Sequence, residues 1–116
     1  MELITGEIAA AIKRAWGRGP VATAARWAGP NLLVVLMRDA HTEQERTLCA
    51  AGCDGVVLEG RGALRRILEP ELRSIVQRGT GREVTAVLGG ERLEPDLSTA
   101  IFMLAPRGTE PVAGGP

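Results

Sequence analysis

Four spaced signatures punctuate this chain in a fixed order. They are Gly17-Arg18-Gly19-Pro20, then Thr42 to Leu48, then Thr80-Gly81-Arg82, then Pro95-Asp96 leading to Phe102-Met103-Leu104. Each marks the edge of a helix or a strand, and together they limit the folds open to the chain. Residues 3–16 repeat Ile4, Ile8, Ile12 and Trp16 every four positions, the spacing of one helix face. Gly17 and Gly19 stop that helix, and Pro20 forbids its continuation. Residues 21–28 then alternate, with Val21, Thr23, Ala25 and Trp27 on one side. After the turn signal Gly29-Pro30-Asn31, Leu32 to Met37 is apolar on both faces and reads as a central strand. A connection this short predicts a hairpin, because parallel pairing needs a much longer crossover.

Thr42 opens the second helix. Thr42 at N-cap and Glu45 three helical positions later form a capping box, each side chain satisfying an orphan backbone N–H. Gly52 is its stop. Residues 55–60 read either as a short strand or as a connector. Leu64, Leu68, Leu72, Ile75 and Val76 form the next helical stripe, with Ile67 at its edge. Pro70 inside that stripe predicts a kink or two helices, and Gly79 and Gly81 predict the end. Val84, Ala86 and Leu88 alternate as a third strand, and Ala100, Phe102 and Leu104 as a fourth. The connection of about eight residues between them, 89–96, is long for a hairpin.

The fold expected is α+β in the order αββααββ. A four-stranded, mainly antiparallel sheet of two hairpins carries helices on one face. Helix, glycine break and hairpin occur twice, which leaves a duplicated unit open. Residues 1–105 are expected to form one domain and 106–116 a disordered tail, since the tail is rich in Pro and Gly.

Composition narrows the function. Fourteen basic and fourteen acidic side chains cancel, which leaves no electrostatic footprint for nucleic acid. No window approaches the ~20 apolar residues that span a bilayer. Residues 1–20 lack the layout of a signal peptide, so a cytoplasmic location is expected, with peripheral contact to a membrane left open. A core this small invites a homodimer.

Candidate chemistry is thin. Cys49 and Cys53 share a face if both are helical, and His41 lies nearby, but a zinc site needs about four ligands. Two small buried side chains is the preferred reading, with no metal and no cofactor. His41 is the lone histidine, so any nucleophile–base pair would have to use it. No catalytic residue is assigned, and the chain is read as a non-enzyme. Gly-Arg-Gly-Pro follows a helix C-terminus, where the dipole repels anions, so a structural turn is preferred. Were Arg18 and Arg82 to converge, they would suit a carboxylate, a bicarbonate or an acidic residue of a partner. The arginines of residues 61–83 outnumber the acids there, and read as a solvated face. Pro95-Asp96 reads as a turn, the Asp bonding backbone.

The ordered set resembles the MpsC family, small bacterial domains named for a sodium-translocating, membrane-potential-generating system. The matching positions are Gly17 to Pro20, Leu36, Thr42, Glu45, Leu48, Thr80 to Arg82, Val84, Pro95, Asp96 and Phe102. The Arg of the long helix maps to Arg61 or Arg65. Gly60, Gly62 and Pro70 interrupt a region that is continuously helical in the family, and His41 replaces an apolar residue. The resemblance implies an accessory or regulatory domain with no transmembrane helix, tied to cation or bicarbonate transport or signalling through a protein partner. A small-anion or metabolite sensor and a nucleic-acid-binding regulator are the alternatives.

Overall fold

The computed structural model describes residues 1–106; the tail expected at 106–116 lies, but for Pro106, outside the described residues. The elements are α1 (Glu2–Trp16), β1 (Ala22–Trp27), β2 (Leu32–Arg38), α2 (Glu43–Ala50), α3 (Asp54–Thr80), β3 (Val84–Arg92) and β4 (Leu97–Leu104). All four strands pair antiparallel in the spatial order β1-β2-β4-β3. The expected α+β order is therefore the observed one. A helix followed by a hairpin occurs twice, as α1-β1-β2 and α3-β3-β4 with α2 between them, and the two halves meet where β2 runs antiparallel to β4.

Both long helices end on glycine because the chain must turn left-handed there. Gly17 has φ +80° and Gly81 has φ +69°, and each amide bonds back to a carbonyl of the last turn. A side chain with a Cβ is strained in that region. Thr42 and Glu45 form the capping box read from the sequence, at 3.1 and 3.0 Å.

The core lies between one sheet face and the helices α1 and α3. Ile8 and Ile12 of α1 and Leu72, Ile75 and Val76 of α3 pack against Leu33, Val35, Ala100 and Phe102. Strand alternation then turns Val34, Leu36, Leu88, Ile101 and Met103 to the opposite face. None of these five is buried, and Leu88 is 59% exposed.

Three sequence expectations are corrected. Residues 55–60 are neither strand nor connector but the opening turns of α3. Gly55, Gly60 and Gly62 each cost roughly 1 kcal/mol there relative to Ala. Val57 and Arg61, both buried, carry the apolar stripe back through that stretch and anchor it. Of the two outcomes read for Pro70, the division into two helices is not found: α3 is continuous over its 27 residues. Pro70 is exposed while Leu68 and Leu72 beside it are buried, so the broken backbone bond opens toward water. Finally, the connection after Leu88 is not long. β3 runs on through Gly89 and Gly90 to Arg92, leaving 93–96 as the turn.

Candidate functional site

The most concentrated chemistry lies under the end of the sheet where β2 stops and the β3–β4 turn begins. Arg61, on the buried stripe of α3, is only 2% exposed. Its guanidinium forks onto Glu45 of α2, with Nε to Oε2 at 2.9 Å and Nη2 to Oε1 at 3.1 Å. Its third nitrogen, Nη1, donates to Asp96 Oδ1 at 3.2 Å and to Glu91 Oε1 at 3.4 Å. Arg65, one turn along, pairs with Glu91 from the other side. Ser98 Oγ donates to Glu91 Oε2 at 2.7 Å. Two guanidinium groups thus hold three carboxylates.

Neighbouring loops close on this cluster. The amide of His41 donates to Asp96 Oδ2 at 2.7 Å, and the His41 ring nitrogen Nδ1 lies 3.4 Å from the same oxygen. Arg18, after the glycine that ends α1, donates to the His41 carbonyl. The amide of Asp39, itself at φ +57°, bonds the Asp96 carbonyl. Gly89 is required for the geometry. A Cβ there would lie 2.6 Å from the Thr99 carbonyl oxygen and 2.7 Å from Arg65 Nη1. The bare backbone lets the Arg65 side chain cross β3 to reach Glu91.

The electrostatics follow from burial and pairing. Burial alone would raise the Glu45 carboxyl, but the hydrogen bonds from Arg61 and the Thr42 amide, with the Arg61 charge, hold it below its ordinary value. Burial would likewise lower the Arg61 guanidinium, and Glu45 and Asp96 reverse that, raising it. Arg65 is lowered by burial. Glu45 and Arg61 thus favour each other's charged form, and the charges of the cluster are turned on one another.

The other site residues expected from the sequence fall elsewhere or serve the frame. Arg82 follows Gly81 as Arg18 follows Gly17, but the two arginines do not meet. β1 runs from Ala22 beside Arg38 to Trp27 beside Leu33. Arg18 is at the first end, whereas Arg82 reaches the hairpin turn at the other. There it donates to the carbonyls of Pro30 (2.9 Å) and Ala105 (2.7 Å) and to Asn31 Oδ1 (2.7 Å), and lies 5.6 Å from the Trp27 ring centre. The antiparallel meeting of the halves explains the separation, since equivalent positions are carried to opposite ends of the sheet. Each arginine bonds a carbonyl just beyond a central strand. Gly19 makes ordinary contact with Lys13 and the Ala9 carbonyl. Pro20 leads into β1, and Pro95 sits in the β3–β4 turn after a cis bond, just before Asp96.

Cys49 is on α2 and Cys53 precedes α3 as its N-cap, so they do not share one helix face. Neither is buried. Partial desolvation and the carboxylates of Asp54 and Glu45 push the Cys49 thiol up, away from the reactive thiolate. Among the described residues, no three His, Cys, Asp or Glu side chains are placed to hold a metal.

Sequence reasoning placed Arg61 and Arg65 on a solvated face and passed over Glu91. The signal for Arg61 was present. It is four residues after Val57 and seven before Leu68, in register with the buried stripe. A charge at such a position needs a buried partner.

The family model described as Na+-translocating membrane potential-generating system (MpsC) matches residues 2–106. The chain belongs to this family, and that membership suggests association with a Na+-translocating membrane system. No curated protein and no solved structure matches it. No helix among the described residues is long and apolar enough to cross a membrane.

Proposed function

We propose that this member of the MpsC family is a non-enzymatic accessory domain of a Na+-translocating membrane system. It works through protein contacts, from the cytoplasmic side, with no chemistry of its own. One observation carries the reading. The charged side chains that would serve a reaction are engaged on one another around Arg61. They join α2, α3, β3 and the β3–β4 turn as a frame. The anion-binding alternative loses its geometric support, because Arg18 and Arg82 lie at opposite ends and each is occupied by backbone carbonyls.

The test is the Na+-dependent potential of membrane vesicles, read with a potential-sensitive dye. Vesicles from cells lacking the chain should develop a smaller potential, and expressing the chain again should restore it. An unchanged potential on deletion would contradict the reading. A metabolite retained through native mass spectrometry would turn it toward a sensor.

A further inference from the structure

The sheet face turned away from the helices differs from the rest of the molecule. Its centre is aliphatic: Val34, Leu36, Leu88, Ile101 and Met103. Among the described residues its strand charges are Arg26, Arg38 and Arg92, and no outward-facing strand position is acidic. The whole chain is balanced at fourteen against fourteen, so this face is a local excess of one sign. Among the described residues no carboxylate pairs with any of the three arginines. Gly90 leaves a depression of about 260 Å³ in the face, lined by Leu36, Leu97, Thr99 and Arg92 and also by Glu91 and Ser98, whose side chains bond each other and, through Glu91, Arg61 and Arg65 on the inner side.

An aliphatic surface of this continuity marks an interaction site, and its charge selects the occupant. A second copy laid face to face would bring arginines toward arginines with no carboxylate to receive them. A lipid surface is met by aromatic side chains at the headgroup level, and this face has none. Nucleic acid wants stacking platforms, which are also missing.

We infer that this face docks an acidic, amphipathic segment of another protein. Its aliphatic side chains would cover Val34, Leu36, Leu88 and Ile101, one of them filling the depression at Gly90. Its flanking carboxylates would meet Arg26, Arg38 and Arg92. The inference rests on the accessory reading above and names the kind of partner that reading requires.

A photo-crosslinking residue placed at Leu88 of the full chain, in the cells that make it, tests this. The same residue at Ile67, exposed on the helix side, is the control. The expected result is a crosslink from position 88 alone, to a peptide in which aliphatic residues are flanked by two or more Asp or Glu. The triple variant Arg26→Glu, Arg38→Glu, Arg92→Glu should lower the yield about tenfold or more with an unchanged circular dichroism spectrum. A crosslink to the chain itself, flotation of the purified protein with phosphatidylglycerol vesicles, or equal yields at 67 and 88 would overturn the inference. The vesicle potential separates the two failures. A potential lost on deletion with no crosslink at 88 sinks the docking face alone. A specific crosslink with an unchanged potential sinks the accessory reading and leaves the face.

Discussion

Arg61 and Arg82 are both multiply bonded, yet they hold the molecule in different ways. Arg61 is buried and answers three carboxylates from α2, β3 and the β3–β4 turn. Arg82 is half-buried and answers neutral acceptors, the carbonyls of Pro30 and Ala105 and the Asn31 side chain. Removing Arg82 leaves neutral acceptors, of which the Pro30 carbonyl is on an exposed residue and open to water. Removing Arg61 leaves buried negative charges facing one another. The same residue type is thus a replaceable strap in one place and an obligatory counter-charge in the other.

The largest effect is expected at Arg61. Arg61→Met should lower the unfolding free energy by about 3–5 kcal/mol, the cost of stranding a buried partner, read by urea denaturation. Near-native stability would erase the contrast between the two arginines. Gly89→Ala should come next, at about 1–3 kcal/mol. The new methyl meets the Thr99 carbonyl, a backbone atom that cannot swing aside, as well as the Arg65 guanidinium. Arg82→Met should cost about 1–2 kcal/mol and change the emission of Trp27, whose ring it covers. Thr42→Ala should cost about 1 kcal/mol through the lost cap, with α2 fraying in hydrogen exchange while β2 and β4 stay protected.

The contrast also predicts a pH dependence. The Glu45 carboxyl is lower in the folded state than in the unfolded one. Its contribution is therefore complete above the unfolded value of about 4.3 and is lost as pH falls through the folded value. The Arg61 shift is upward and lies in the far alkaline range, so it leaves the neutral region flat. Acid titration of stability should show this loss in the parent chain, and Glu45→Gln should diminish it. An equal acid slope in both would show that Glu45 is not tied to Arg61.

Sequence pattern alone carried the fold a long way, because its signals are local. The glycine stops at Gly17 and Gly81, the capping box at Thr42 and the alternation of β1, β2 and β4 each depend on a few adjacent residues. Two of the misreadings share one cause, a local signal overridden from a distance. Gly60 and Gly62 argue against helix until Arg61 between them is anchored by Glu45, sixteen residues away. Gly89 and Gly90 look like a loop until Glu91 is drawn inward by Arg61 and Arg65. Thr42, Glu45 and Asp96 were legible as motif residues, but only as caps and turns. That one Glu45 carboxylate serves both the Thr42 amide and the Arg61 fork is visible only in three dimensions.

The central claim is that Arg61 is held for the charges it neutralises. The most direct measurement compares the urea unfolding of Arg61→Met with that of the triple variant Arg61→Met, Glu45→Gln, Asp96→Asn. The account predicts that the triple variant regains a large part of the stability lost by the single one, since neutral amides no longer repel one another in the interior. A triple variant less stable than the single one would contradict it, and would mean that hydrogen bonds and packing, not charge, hold this end of the molecule together.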